Sequence, residues 1–244
     1  MMMKKLYSVM AVILLAVAAS FGALAVPANA QAKKGTKTEA SVRVPLNLAI
    51  LIQDDLVSRV GNELRETGKF INSLPAGSRV MVGYIRSGSL EVRQPFTTDL
   101  AQASRALRIP AGSTAVSPFN PYLQVRDAVR LFPNDAGNRN ALLLVSDGLD
   151  VSRGFDFSST VDSIDLARAV REAKGRNVAV YSFYAPSVGL TSWNQRAVSF
   201  GQSALNRISD ETGGKAFFQG TSFVTFDAYF RRLTNTINEQ GGAY

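Results

Sequence analysis

Five short apolar runs recur along the chain, and stretches with helical spacing separate most of them. That alternation constrains the fold more than any other feature. The runs are Leu46–Ile52, Arg79–Ile85, Leu90–Phe96, Ala141–Val145 and Val178–Tyr184, with a shorter sixth at Lys215–Phe218. Leu46–Ile52, Ala141–Val145 and Val178–Tyr184 are almost continuously apolar, as strands covered on both faces are. Ser87-Gly88-Ser89 makes a turn, so Leu90–Phe96 reads as the hairpin partner of Arg79–Ile85. Helical spacing is read over Ser58–Ser73, a short piece ending at Leu107, Pro118–Leu131, Asp162–Lys174, Phe200–Thr212 and Phe223–Ile237. Strands that alternate with helices of this length predict a doubly wound α/β domain. Its six-stranded sheet is mostly parallel, carries one antiparallel edge strand and has helices on both faces.

The first 45 residues lie outside that pattern. Lys4 and Lys5 precede a run of small and apolar residues from about Val9 to Val26, and Ala28-Asn29-Ala30 supplies small residues two apart. This is the layout of a secretory signal peptide, with cleavage expected after Ala30 and no membrane span left in the mature chain. The protein is therefore expected in the periplasm or outside the cell. Residues 31–45 hold Lys33, Lys34, Lys37 and Arg43 against Glu39 and lack periodicity, so they read as a flexible basic tail. The formal charge of the whole chain is +8. Lys4 and Lys5 carry two of these charges and the tail a net three, which leaves +3 for the domain from residue 46 to 240. The remaining arginines alternate with acids and read as a solvated face. No basic helix with interleaved aromatics is present, so nucleic acid is not expected as a partner.

The chain has no His and no Cys. This excludes imidazole bases, thiolate nucleophiles, disulfides and zinc sites of the thiolate kind. A metal ion here would need oxygen ligands, which suits Mg²⁺, Ca²⁺ or Mn²⁺. In a parallel sheet the place to look is beyond the C-terminal strand ends. There the sequence offers Gln53-Asp54-Asp55, Gly112-Ser113-Thr114 and Ser146-Asp147-Gly148-Leu149-Asp150.

A strand running into an Asp loop, a Gly-Ser-Thr loop and then LLLVSDGLD resembles the von Willebrand factor type A domain, above all its bacterial secreted members. The resemblance covers about Leu46 to Gln240. It implies a Rossmann-like doubly wound sheet with a metal-ion-dependent adhesion site at its top. Asp147 and Gly148 match the Asp-Gly pair of that site, and Thr114 matches its later Thr. The first motif, Asp-x-Ser-x-Ser, is degenerate. Strand phase from Leu46, Leu48, Ile50 and Ile52 puts Gln53 at the leading position, with Asp55 and Val57 at the two Ser positions. A slip of one residue would instead supply Asp54, Leu56 and Ser58. Asp55, Thr114 and Asp147, aided by Asp54, are thus the candidate ligands of a weak or lost divalent site.

Two long loops, Val151–Asp162 and Ala185–Ser199, flank the expected site. The second holds Trp193, the only Trp. Gln53, Ser113, Asp150 and Trp193 are expected on the partner-binding surface. The leading expectation is a secreted, non-enzymatic module that binds a protein ligand through these loops. Two alternatives stand beside it. One is a metal-assisted phosphoryl hydrolase using Asp54 or Asp55 with Asp147. The other is a structural component of a cell-envelope assembly.

Overall fold

A computed structural model describes residues 41–134, 137–155, 163–218 and 225–241, residue 241 by its backbone alone. The signal peptide, most of the basic tail, the 156–162 part of the first long loop and Phe223 lie outside the described residues.

Six strands form one sheet in the order β3-β2-β1-β4-β5-β6. They are β1 (Leu46–Gln53), β2 (Arg79–Arg86), β3 (Ser89–Thr97), β4 (Arg139–Ser146), β5 (Val178–Tyr184) and β6 (Ala216–Phe217). Only β3 runs antiparallel, as the edge partner of β2. The expected doubly wound architecture with one antiparallel edge is the one observed. The strand order reverses between β1 and β4, which places the switch-point crevice above their C-terminal ends.

The helices are α1 (Val60–Asn72), α2 (Leu100–Arg105), α3 (Pro121–Arg130), α4 (Ile164–Gly175), α5 (Gln195–Glu211) and α6 (Phe226–Gly241). Side chains of a strand alternate between faces, and β1 is buried on both. Leu46, Leu48, Ile50 and Ile52 join one core with α1, α2 and α6. Ala49 and Leu51 join the other with α3, α4 and α5. The aromatic stripe of α6 is core packing. Phe226, Tyr229 and Phe230 meet the Phe183 ring of β5 at centroid distances of 5.3, 5.2 and 5.0 Å.

Helix starts follow their caps. Asn120 accepts from the Tyr122 amide and Pro121 takes the first helical position, so α3 begins later than the expected Pro118. Asn194 accepts from the amides of Arg196 and Ala197, so α5 begins at Gln195, five residues before the expected Phe200. The loop that carries Trp193 is correspondingly shorter than anticipated. Among the described residues, no helix is long and apolar enough to cross a membrane.

One contact sets the distance between α5 and the sheet. Gly148 adopts φ +71°, and a Cβ there would lie 2.4 Å from the Gly201 carbonyl oxygen. A Cβ on Gly201 would lie 1.9 Å from the Asp147 carbonyl oxygen. Both obstacles are backbone and cannot swing away. Gly201→Ala is therefore expected to destabilise the domain by about 3 kcal/mol through overpacking, measured by urea unfolding. An effect below about 0.5 kcal/mol would show that α5 is free to move outward.

Candidate functional site

Gln53 ends β1, and Asp54 and Asp55 follow it in the turn that leaves the strand. Gln53 follows Ala49 and Leu51 toward the α3–α5 face. Its amide nitrogen donates to Asp55 Oδ1 at 2.7 Å. Its amide oxygen accepts from Ser146 Oγ at 2.5 Å and from the Asp147 backbone N–H at 3.3 Å. Gln53 thus ties the ends of β1 and β4 together and brings Asp55 beside Asp147.

Asp54 points the other way and is fully buried. Arg108 grips it at 2.5 and 3.0 Å, Arg86 at 2.8 Å, and the Ala111 amide donates to it at 2.9 Å. Burial works to raise its pKa. The Arg108 hydrogen bond and charge, the Ala111 amide and Arg86 outweigh that and hold the carboxyl below its ordinary value. Arg108 also lies 4.0 Å above the Tyr84 ring, and its backbone exchanges hydrogen bonds with the Tyr84 hydroxyl. Asp54 therefore anchors the segment after α2 to the sheet edge and stands apart from Asp147.

Asp55 and Asp147 are both buried. Burial, then the charge of Asp147, pushes the Asp55 carboxyl up to about 6 against hydrogen bonds from Gln53 and Ser117. Burial also raises Asp147, opposed by the hydroxyl of Ser187, the Leu149 amide, Gln53 and Thr191. The Leu149 amide donates to its Oδ1 and the Thr191 hydroxyl to its Oδ2, each at 3.1 Å.

The other sequence candidates lie elsewhere. Thr114 and Ser113 are exposed on a single 3₁₀ turn, where the Ser113 hydroxyl caps the Ala115 amide. Ser117, three residues beyond Thr114, is the hydroxyl of this loop that reaches Asp55. Gln53 is 2% exposed, so it serves the interior of the cluster and offers no partner contact. Asp150 is half-buried and accepts from the hydroxyls of Ser152 and Ser163. Trp193 is 71% exposed. Sequence reasoning missed Ser117, Ser187 and Thr191, and gave Ser146 no role. Hydroxyls are common in βα loops, and no local pattern marks which ones turn inward.

The β5–α5 loop under Trp193 is pinned to this cluster. The Val188 amide donates to the Asp55 carbonyl at 2.9 Å, and the Val57 amide to the Pro186 carbonyl at 3.0 Å. Thr191 accepts from the Ser187 amide at 2.8 Å while donating to Asp147. Val151 donates to the Phe119 carbonyl, and Phe119 itself is 58% exposed at φ +59°.

A divalent ion does not fit these residues. Hard cations need several oxygen ligands with free lone pairs. The Asp55 and Asp147 carboxylates already accept from the Gln53 amide, the Leu149 amide and the Thr191 hydroxyl. Among the described residues no group of three acidic, His or Cys side chains could hold an ion. The Gln53 amide also presents hydrogens to Asp55 where a cation would need lone pairs. In place of ionic attraction the cluster uses neutral donors.

No family model and no curated protein matches the sequence. Solved structures do. The conserved hypothetical protein BatB from Bacteroides thetaiotaomicron is similar, with a TM-score of 0.55 at 14% identity, over 82% of this chain and all of that one. An aerotolerance-related membrane protein from Bacteroides fragilis gives a TM-score of 0.54 at 13% identity, over 81% of this chain and all of that one. The human COPII-coat protein Sec24c gives 0.51 at 13% identity, over 81% of this chain and 33% of its own. At such identities the likeness is one of fold. The fold is von Willebrand A-like.

Two expectations follow. A carboxyl whose pKa is higher folded than unfolded costs stability as pH rises from about 4 to about 6, and the loss is then constant. Asp55→Asn removes this slope and is expected to stabilise the domain at pH 7 by up to about 3 kcal/mol, with little change at pH 4. Urea unfolding at the two pH values measures it, and an equal effect at both would sink the account. Gln53→Asp replaces the donor by a third carboxylate. That variant is expected to melt lower than the parent and to recover several degrees in millimolar Mn²⁺ or Mg²⁺, while the parent does not respond. An equal shift in both proteins would mean that the amide is no barrier to an ion.

Proposed function

We propose that this chain is an exported, non-enzymatic protein-binding module that engages its ligand through the loops above the C-terminal strand ends, without a metal ion. One observation carries the reading. Trp193 is 71% exposed on a loop whose base is fastened to buried side chains. Exposing a large aromatic costs hydration free energy, and fixing its loop in advance lowers the entropy lost when a partner covers it. Trp is also the residue type most enriched at the energetic centres of interfaces. The leader pattern of residues 1–30 supports export to the periplasm or beyond.

The phosphoryl-hydrolase alternative needs two available carboxylates. Asp54 faces two arginines on the side away from Asp147. Asp55 and Asp147 are 2% and 4% exposed, with hydrogen-bond donors already on them. Neither carboxylate is presented to a substrate.

Affinity capture from envelope extract, with bound proteins identified by mass spectrometry, tests the reading. One ligand is expected to be retained by the parent chain with or without EDTA and lost by at least tenfold from Trp193→Ala. A ligand retained equally by Trp193→Ala, or released by EDTA, would overturn the surface or the ion independence respectively.

A further inference from the structure

The arginines that look scattered along the sequence converge at the opposite end of the sheet. A groove of about 1590 Å³ opens where β4 and β5 begin and α3 and α4 run side by side. Arg126, Arg139, Arg168, Arg171 and Arg176 line it, and Glu172 is its single carboxylate. The volume exceeds the roughly 300–1,000 Å³ of small-molecule pockets and suits an extended ligand.

Local pairing leaves these guanidinium groups in surplus. Arg126 and Arg168 share one carboxylate, Asp165, at 4.0 and 3.3 Å. Arg176 meets Glu172 at 3.3 Å, and Arg130 draws on the same carboxylate at 3.5 Å. Arg139 is held by the Ile237 carbonyl at 3.0 Å and the Gln240 side-chain oxygen at 3.4 Å. Arg171 is exposed, and among the described residues neither arginine has an ion pair. Helix C-termini attract cations, which accounts for Arg176 after α4. It does not account for Arg126 in the middle of α3 or for Arg168 and Arg171 in the first half and middle of α4. Against Asp165 and Glu172, the five lining arginines leave an excess of three positive charges, the whole net charge of the domain from residue 46 onward.

We propose that this groove binds an extended acidic peptide segment, rich in Asp and Glu, of a partner protein. Guanidinium forks match carboxylates bidentately, and Arg139 is pre-set by its neutral partners. Amides along the groove favour a peptide over a bare anionic polymer. Asn134 and Asn177 are exposed among the arginines and can meet main-chain groups of a strand-like ligand. The site is separate from the Trp193 loops, so its occupancy does not depend on the proposal made for them.

Fluorescence anisotropy of a labelled ten-residue oligoglutamate peptide, titrated with the full chain, tests this. Binding is expected at 50 mM salt and is expected to weaken at least tenfold at 500 mM. Arg171 has no ion-pair partner among the described residues, so Arg171→Glu is expected to fold normally and to cost about tenfold in affinity. Arg168→Glu is expected to act in the same direction, and Trp193→Ala to have no effect. Absence of peptide binding at low salt, or binding unchanged by Arg171→Glu, would overturn the proposal. Inorganic polyphosphate competing at least tenfold better than oligoglutamate of equal charge would also overturn it, in favour of a phosphate polymer.

Discussion

An extended backbone points successive side chains to opposite faces, and at the last residue of β1 this constraint puts the Gln53 amide in the crevice. Gln53, Asp54 and Asp55 are adjacent in sequence. Strand parity carries Gln53 to the α3–α5 face, where it meets Ser146 and Asp147, and the turn that follows aims Asp54 at Arg86 and Arg108. Asp55 returns to the first side and closes on Gln53. A one-residue change of register would exchange the amide for a carboxylate in the crevice and leave Arg108 without its anion. Asp54 and Gln53 therefore each fix the phase that the other needs.

The upper rim of the domain is built outward from those contacts. Asp54 holds the segment around Arg108 to Gly112 by side-chain bonds and by its carbonyl, which accepts from the Gly112 amide at 3.0 Å. Asp147 holds the β5–α5 loop through Thr191. Gly148 and Gly201 let α5 approach until backbone touches backbone. Loops fastened at several points lose little further freedom when a ligand arrives, which suits recognition better than a mobile rim would. The cost is a pair of carboxyls in low dielectric, tolerated because hydroxyls and amides satisfy them and because burial lifts their pKa values.

Charge is divided between the two ends. Acidic groups at the C-terminal strand ends are buried or neutralised, so Trp193 and Phe119 dominate what that surface offers. At the other end the arginines of α3, α4, β4 and the turn after α4 stay in or near water and outnumber their carboxylates. Two surfaces of different chemistry on one rigid sheet would let the domain hold two segments at once.

How much of this the sequence determined follows from the range of each interaction. Strands β1, β4 and β5 were legible because burial on both faces leaves only apolar residues to choose from, and Asp147-Gly148 was legible because it directly follows such a run. The β2–β3 hairpin announced itself through its turn. The start of α5 was misplaced because the capping signal of Asn194 is one residue among several polar ones. Motif spacing points to Thr114, and only the path of the loop brings Ser117 to Asp55. Ser187 and Thr191, forty or more residues after Asp147, carry no local mark of that contact. The same holds for the arginine groove. Arg126, Arg139, Arg168, Arg171 and Arg176 read as a solvated face because each has an acid nearby in sequence. The sequence, through its local periodicity, determined the alternating elements and the parity at Gln53. Only the tertiary structure decided which hydroxyls and guanidinium groups share a site, because packing α3 beside α4 and folding the β5–α5 loop over β1 join residues that no local period relates.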